Sequence, residues 1–153
     1  MLKYIDTYVG SQEIPNEESL VIVIDDYIHQ CRGRKAKMYK DKEKKLLTQE
    51  ELSIYIDSLI DEVSCVLFTG GDCAPEEIND LAAFVRKKYP DMKIGWYSAD
   101  ETITIFTEYH NFDYIKLGPH NQKRGGLNSP KTNQRMYLVD GAVLRDITNR
   151  FWK

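Results

Sequence analysis

Four short runs of nearly uninterrupted apolar residues, separated by stretches with helical periodicity, constrain this chain more than any other feature. They are Leu20-Val-Ile-Val-Ile24, Cys65-Val-Leu-Phe68, Lys93-Ile-Gly-Trp-Tyr97 and Tyr114-Ile-Lys-Leu117. A strand with one wet face alternates apolar and polar residues, whereas a strand apolar on both faces must be covered on both sides, as in a parallel sheet. Between the first two runs, Thr48 with Glu51 three residues on forms a capping box, and Leu52, Tyr55, Ile56, Leu59 and Ile60 share one helical face. This pattern predicts a helix from about Thr48 to Asp61. After the second run, Pro75 suits a first helical turn, and Ile78, Leu81, Ala82 and Val85 recur at helical spacing. Arg86, Lys87 and Lys88 complement the negative end of that helix before Pro90 stops it. A shorter helix is predicted over Thr102 to Tyr109. The βαβαβ series predicts an α/β fold: a mainly parallel sheet with outer helices and right-handed crossovers, its functional loops at the carboxyl ends of the strands. In the tail, Asp140-Gly141 between two apolar pieces signals a hairpin.

A length of 153 residues with 42% hydrophobic content suits one domain over 1–153. Lys3, Asp6, Glu13, Glu17 and Glu18 interrupt the first nineteen residues, which lack the apolar core of a signal peptide, and no run approaches the roughly 18 apolar residues of a membrane span. The expectation is a cytoplasmic protein without a membrane partner. Three cysteines, Cys31, Cys65 and Cys73, cannot all pair within the chain and fit a reducing compartment. Eight basic residues against Asp41 and Glu43 give the segment 32–45 a charge of +6, which leaves −9 for the remainder of a chain of net charge −3. Such a lobe can attract phosphate, nucleic acid or an acidic surface. Nucleic acid is not the expected partner, though the lobe leaves it open, and a solvated lysine-rich loop accounts for the charge equally well.

The strand Cys65 to Phe68 runs directly into Thr69-Gly70-Gly71-Asp72. Glycines let a backbone approach a ligand closely, and the adjoining carboxylate can receive an ammonium group; a common structural turn is the alternative. Lys116 sits among apolar neighbours and must reach an edge or find a partner, either a structural carboxylate or a ligand. His29, His110 and His120 show no metal-site spacing, and no serine or cysteine occupies a nucleophile elbow.

Phe68-Thr-Gly-Gly-Asp72, Lys93-Ile-Gly-Trp-Tyr-Ser98, Phe112-Asp-Tyr-Ile-Lys-Leu-Gly-Pro119, Gly125-Gly-Leu-Asn-Ser-Pro-Lys-Thr-Asn-Gln-Arg135 and Asp146-Ile-Thr-Asn-Arg-Phe-Trp152 follow one another in an order and spacing that extend over nearly the whole chain. In this it resembles the activating proteins of anaerobic ribonucleoside-triphosphate reductase, members of the radical S-adenosylmethionine (radical SAM) superfamily. The resemblance implies a partial, open TIM-like barrel of the radical SAM type, with the large subunit of the anaerobic reductase as partner. It implies a [4Fe-4S] cluster held by three cysteines spaced C-x3-C-x2-C after the first strand, with S-adenosylmethionine on the fourth iron and a glycyl radical as the product. Gly70, Gly71, Asp72 and Ser98 are then the cofactor-binding positions, with Lys116 beside them. Asn133, Gln134 and Arg135 match the family's Asn-Gln-Arg signature, which implies an ordered turn that closes the barrel mouth, with direct ligand contact as the second role.

The cysteine motif departs from this pattern. Aligned on Cys31 and Gly33, Tyr27 and Arg34 stand at the other two cysteine positions, so Cys31 is the sole metal ligand left in the motif. A guanidinium has no lone pair to give a metal, and a phenol is a poor ligand for such iron. Cys31 and Cys73, with His29 as a third ligand, could make some metal site; two ordinary thiols are the alternative, and Cys65, opening a buried strand, reads as core. Two readings follow. In one the chain is an activase; in the other it is a non-catalytic radical-SAM-like binding or regulatory protein, without the cluster, that keeps weak affinity for S-adenosylmethionine. The two replaced cysteine positions favour the second as a description of the chemistry.

Overall fold

The computed structural model describes residues 2–25, 43–100, 109–119, 121–141 and 143–152. Its strands are β1 (Lys3–Gly10), β2 (Ser19–Ile24), β3 (Lys45–Leu46), β4 (Cys65–Thr69), β5 (Lys93–Tyr97), β6 (Tyr114–Leu117), β7 (Arg135–Asp140) and β8 (Val143–Asp146). The α-helices are α1 (Gln49–Ser58) and α2 (Pro75–Lys88), with single 3-10 turns at Tyr109–Asn111 and Thr148–Phe151. The four apolar runs form β2, β4, β5 and β6, which pair in parallel: Leu20 faces Val66, Val66 faces Ile94, and Trp96 faces Ile115. On either side of them the direction reverses. β1 is antiparallel to β2 and β3 to β1, while β7 is antiparallel to β6 and β8 to β7.

These flanks correct the expected fold. The protein is a mixed eight-stranded sheet in the order β3-β1-β2-β4-β5-β6-β7-β8, with two α-helices among the described residues, and not a helix-surrounded, mainly parallel TIM-like barrel. The reason lies in the connections. A parallel neighbour requires a crossover of a dozen or more residues, usually helical. The segment 118–134 after β6 instead carries Gly118, Pro119, Gly125, Gly126 and Pro130. It folds as successive turns, with Gly125 N–H on Asn121 O at 2.8 Å and Ser129 N–H on Gly126 O at 3.0 Å, and it returns the chain beside β6 in the opposite sense.

Both helices cover one face of the sheet. Ile22, Phe68, Trp96 and Ile115 pack there against Leu52 and Ile56 of α1 and Ile78 and Val85 of α2. Strand alternation sends Val21, Val23, Leu67 and Tyr114 to the opposite face, where Ile14, Ile147, Leu127 and Phe151 close over them. Ile14 is fully buried and seated on Gly95: a Cβ at Gly95 would lie 2.9 Å from Ile14 Cδ1. The face that would line a barrel is thus filled by the protein's own side chains.

Local signals behave as their chemistry dictates. Thr48 is the N-cap of α1, its hydroxyl accepting Glu51 N–H at 3.0 Å. The reciprocal half of the box is not made; Glu51 Oε1 accepts the hydroxyl of Tyr4 at 2.8 Å and so ties α1 to β1. α1 ends at Ser58 rather than Asp61, and α2 begins at Pro75 with Arg86, Lys87 and Lys88 in its last turn. The tail hairpin pairs Asp140 with Val143, and Gly141 takes a φ of 62° in the turn. Residues 102–108 of the third predicted helix lie outside the described residues, and Tyr109 opens a 3-10 turn. Among the described residues no helix is long and apolar enough to cross a membrane.

Candidate functional site

The carboxyl ends of β4, β5 and β6 lie side by side because those strands are parallel and in register, Thr69 opposite Tyr97 and Tyr97 opposite Lys116. Residues just past the strands therefore meet along one rim. Ser98 is buried there, and its hydroxyl hydrogen-bonds Asp72 Oδ1. Asp72 Oδ2 accepts Ala99 N–H at 3.0 Å, while the Ser98 oxygen also accepts Asp100 N–H at 3.0 Å. A carboxylate offers about four lone-pair sites, so these two bonds orient Asp72 while leaving it able to accept more. Two of the sequence-predicted positions, Asp72 and Ser98, are thus in direct contact.

Gly70 and Gly71 serve the same rim through the backbone. Both have positive φ, 98° and 86°, where side chains are strained. Gly70 N–H donates to Tyr97 O at 3.0 Å, and its carbonyl accepts the Trp96 indole N–H at 2.8 Å. A Cβ on Gly71 would sit 2.7 Å from Ile78 Cδ1, so this glycine lets the turn press onto α2. Each glycine therefore meets a structural demand of the β4–α2 turn.

Lys116 lies on the face opposite the helices. Its ammonium donates to Gly118 O at 3.3 Å and stands 5.2 Å from the centre of the Tyr97 ring. Tyr97 in turn donates its hydroxyl to Glu13 O, and burial pushes that phenol well above its usual range. Gly118 N–H donates to Asp100 O at 2.8 Å, and Gln134 Nε2 donates to Gly118 O at 3.3 Å. Asn133 Nδ2 reaches Pro119 O at 3.0 Å. One hydrogen-bonded network thus joins Asp72, Ser98, Gly118, Lys116 and Gln134, and the Asn133-Gln134 turn is fastened to the end of β6. Arg135 lies on β7, paired with Asp146 at 3.7 Å.

Asp100 was not singled out in the sequence. Burial, and then the charge of Asp72, hold its carboxyl above the ordinary aspartate range. The only sequence signal was its place two residues past Ser98, at the end of an apolar strand.

The thiol positions do not assemble a cluster site among the described residues. Cys31, Tyr27, Arg34 and His29, and likewise His120, lie outside them. Cys65 is fully buried, with its thiol pushed far up by burial. It opens β4, so the strand's rise of roughly 3.3 Å per residue sets it about 13 Å from the Thr69 end. Cys73 is exposed beside the glycine turn, and His110 is exposed in a 3-10 turn. Among the described residues no group of three His, Cys, Asp or Glu side chains is arranged to hold a metal ion. With one thiol in the loop after β2, the donors present do not fit a [4Fe-4S] cluster. The Asp72 carboxylate, with two hydrogen bonds made, keeps lone pairs that can accept from a further donor.

Compared with family models, with curated proteins and with solved structures, the chain matches none.

Proposed function

We propose that the strand-end rim binds the amino-acid end of S-adenosylmethionine, or of a related ammonium-bearing nucleoside, without cleaving it. The observation that carries this reading is the Asp72 carboxylate, oriented at the strand-end rim by Ser98 and Ala99 N–H. Burial and then the charge of Asp72 raise the Asp100 carboxyl, and a cation at the rim would offset that negative charge. Iron–sulfur chemistry forms no part of this reading, because the loop that would hold the cluster has Tyr27 and Arg34 at two of three thiol positions. The chain is then a binding or regulatory protein of the cytoplasm whose sequence resembles the radical SAM activating proteins, and the large subunit of the anaerobic reductase is its partner by that resemblance.

Calorimetric titration with S-adenosylmethionine, together with an anaerobic assay for 5′-deoxyadenosine, tests this. Weak saturable binding is expected, weakened about tenfold or more in Asp72→Asn by loss of a charge-assisted hydrogen bond, with no deoxyadenosine formed. Absence of binding by the unaltered protein removes the ligand, and deoxyadenosine production overturns the loss of chemistry.

A further inference from the structure

A second recess lies apart from the Asp72 carboxylate. On the helix-bearing side of the sheet, where β6 meets β7, a cleft of about 380 Å³ opens, within the range of small-molecule sites. Leu117 and Tyr137 form its apolar wall, and Arg124, Arg135, Thr132 and Asn133 supply its polar groups.

The two guanidiniums come from different elements. Arg124 projects from the turn segment, and its Nε donates to Lys131 O at 2.8 Å, which fixes the plane of the group and leaves its terminal nitrogens for another acceptor. Among the described residues no carboxylate pairs with it. Arg135 stands on β7 opposite Leu117, and its pairing with Asp146 is long, at 3.7 Å, with both side chains close to half exposed. Such a pair holds a guanidinium weakly and leaves most of its five N–H donors unspent. Thr132 is committed to the turn: its hydroxyl donates to Gly125 O at 3.2 Å and accepts Gln134 N–H at 3.0 Å. Asn133 differs. While Nδ2 is held by Pro119 O, its Oδ1 is buried without a hydrogen-bond partner among the described residues. A buried acceptor in that state is open to a donor beyond the described residues.

We propose that this cleft is a binding site for a phosphate monoester whose carbon skeleton carries a hydroxyl group. Two guanidiniums match a dianion better than a single carboxylate, and their planar forks suit phosphate oxygens. The ligand hydroxyl donates to Asn133 Oδ1, and the skeleton packs on Tyr137 and Leu117. Neither Asp72 nor Ser98 lines this cleft, although Gly118, which does, donates its N–H to Asp100 O on the rim.

Ribose 5-phosphate and inorganic phosphate serve as probes in calorimetric titrations at low salt. Saturable binding of ribose 5-phosphate is expected, several-fold tighter than that of inorganic phosphate. Arg124→Gln, on an exposed turn, should weaken it about tenfold or more, as should Arg135→Gln. Asn133→Ala should erase the preference for the sugar phosphate and leave inorganic phosphate binding in place. Lys87→Gln removes a like charge from α2, outside the cleft, and should change nothing. Thermal unfolding of each variant separates lost binding from lost fold. The proposal fails if neither probe binds saturably, if Lys87→Gln weakens binding as much as Arg124→Gln, or if the two probes bind equally to the unaltered protein.

Discussion

Asp72 and Asp100 share the strand-end rim but are held differently. The first is oriented by one hydrogen bond to each oxygen, from Ser98 and from Ala99, whereas the second is raised above its ordinary range by burial and by the charge of the first. A carboxyl raised in the folded state binds its proton more tightly there than in the unfolded chain. Its contribution to stability is therefore complete below the unfolded value, about 3.9, and is lost as pH rises through the raised folded value. Asp100→Asn removes this dependence and keeps the Asp100 N–H on Ser98. Relative to the unaltered protein, the variant should gain stability as pH rises above about 4 and level off once pH has passed the raised folded value, read by urea unfolding at several pH values. A difference that stays flat with pH would show that neither burial nor Asp72 raises the Asp100 carboxyl. Asp72 and Ser98 were legible in the sequence because each follows an apolar strand, and parallel register then brings strand ends together. Asp100 was not, since its raised carboxyl depends on burial set by the fold and, after that, on a neighbour twenty-eight positions earlier in the chain. Gly71 was legible only in part: its freedom from a side chain was evident, but the reason, Ile78 pressing on it, needs the fold.

Helices announced themselves through local chemistry, and edge strands did not. Thr48 and Pro75 mark helix starts with bonds and dihedrals confined to a few residues, so both starts stand where the sequence put them. Thr48→Ala removes the acceptor for Glu51 N–H and should cost about 1 kcal/mol in urea unfolding, while Thr48→Ser, which keeps the oxygen, should recover most of it. Equal losses in the two variants would mean that the methyl group, not the cap, is what α1 needs. The other half of the predicted box fails for a reason no local pattern contains: Glu51 is taken by Tyr4, 47 residues away. β1 itself was passed over, although Tyr4-Ile-Asp-Thr-Tyr-Val9 is rich in β-branched and aromatic residues. Its burial is incomplete and its register slips between Tyr4 and Asp6, so neither a continuous apolar run nor clean alternation marks it. The Asp140-Gly141 hairpin was visible, yet its consequence was not. A hairpin appended to β6 by the turns of 118–134 makes an antiparallel flank, and this converts an expected parallel sheet into a mixed one.

At the scale of the whole molecule, the decisive matter is what fills the sheet face opposite the helices. A barrel would reserve that face for a ligand, but here Ile14 lies fully buried on it, against Gly95 and Leu67, in a cluster with Val21, Val23 and Met136. If this is core, Ile14→Ala should cost about 2 to 5 kcal/mol, as for other deletions of a buried branched side chain, whereas a loop resting over an empty cavity would tolerate the change. A double-mutant cycle sharpens the test. Gly95→Ala introduces a Cβ that meets Ile14 Cδ1 at 2.9 Å and Leu67 Cδ1 at 3.1 Å, so overpacking should destabilise the protein by about 1 to 3 kcal/mol. Ile14→Val deletes the very methyl that the new Cβ would strike and on its own costs about 0.5 to 1.5 kcal/mol. Combined, the two changes should destabilise less than their sum, with a coupling of at least about 0.5 kcal/mol, because each relieves what the other imposes. Urea unfolding of the four proteins measures this directly. Strict additivity would place Ile14 away from Gly95 and reopen that face of the sheet to a ligand.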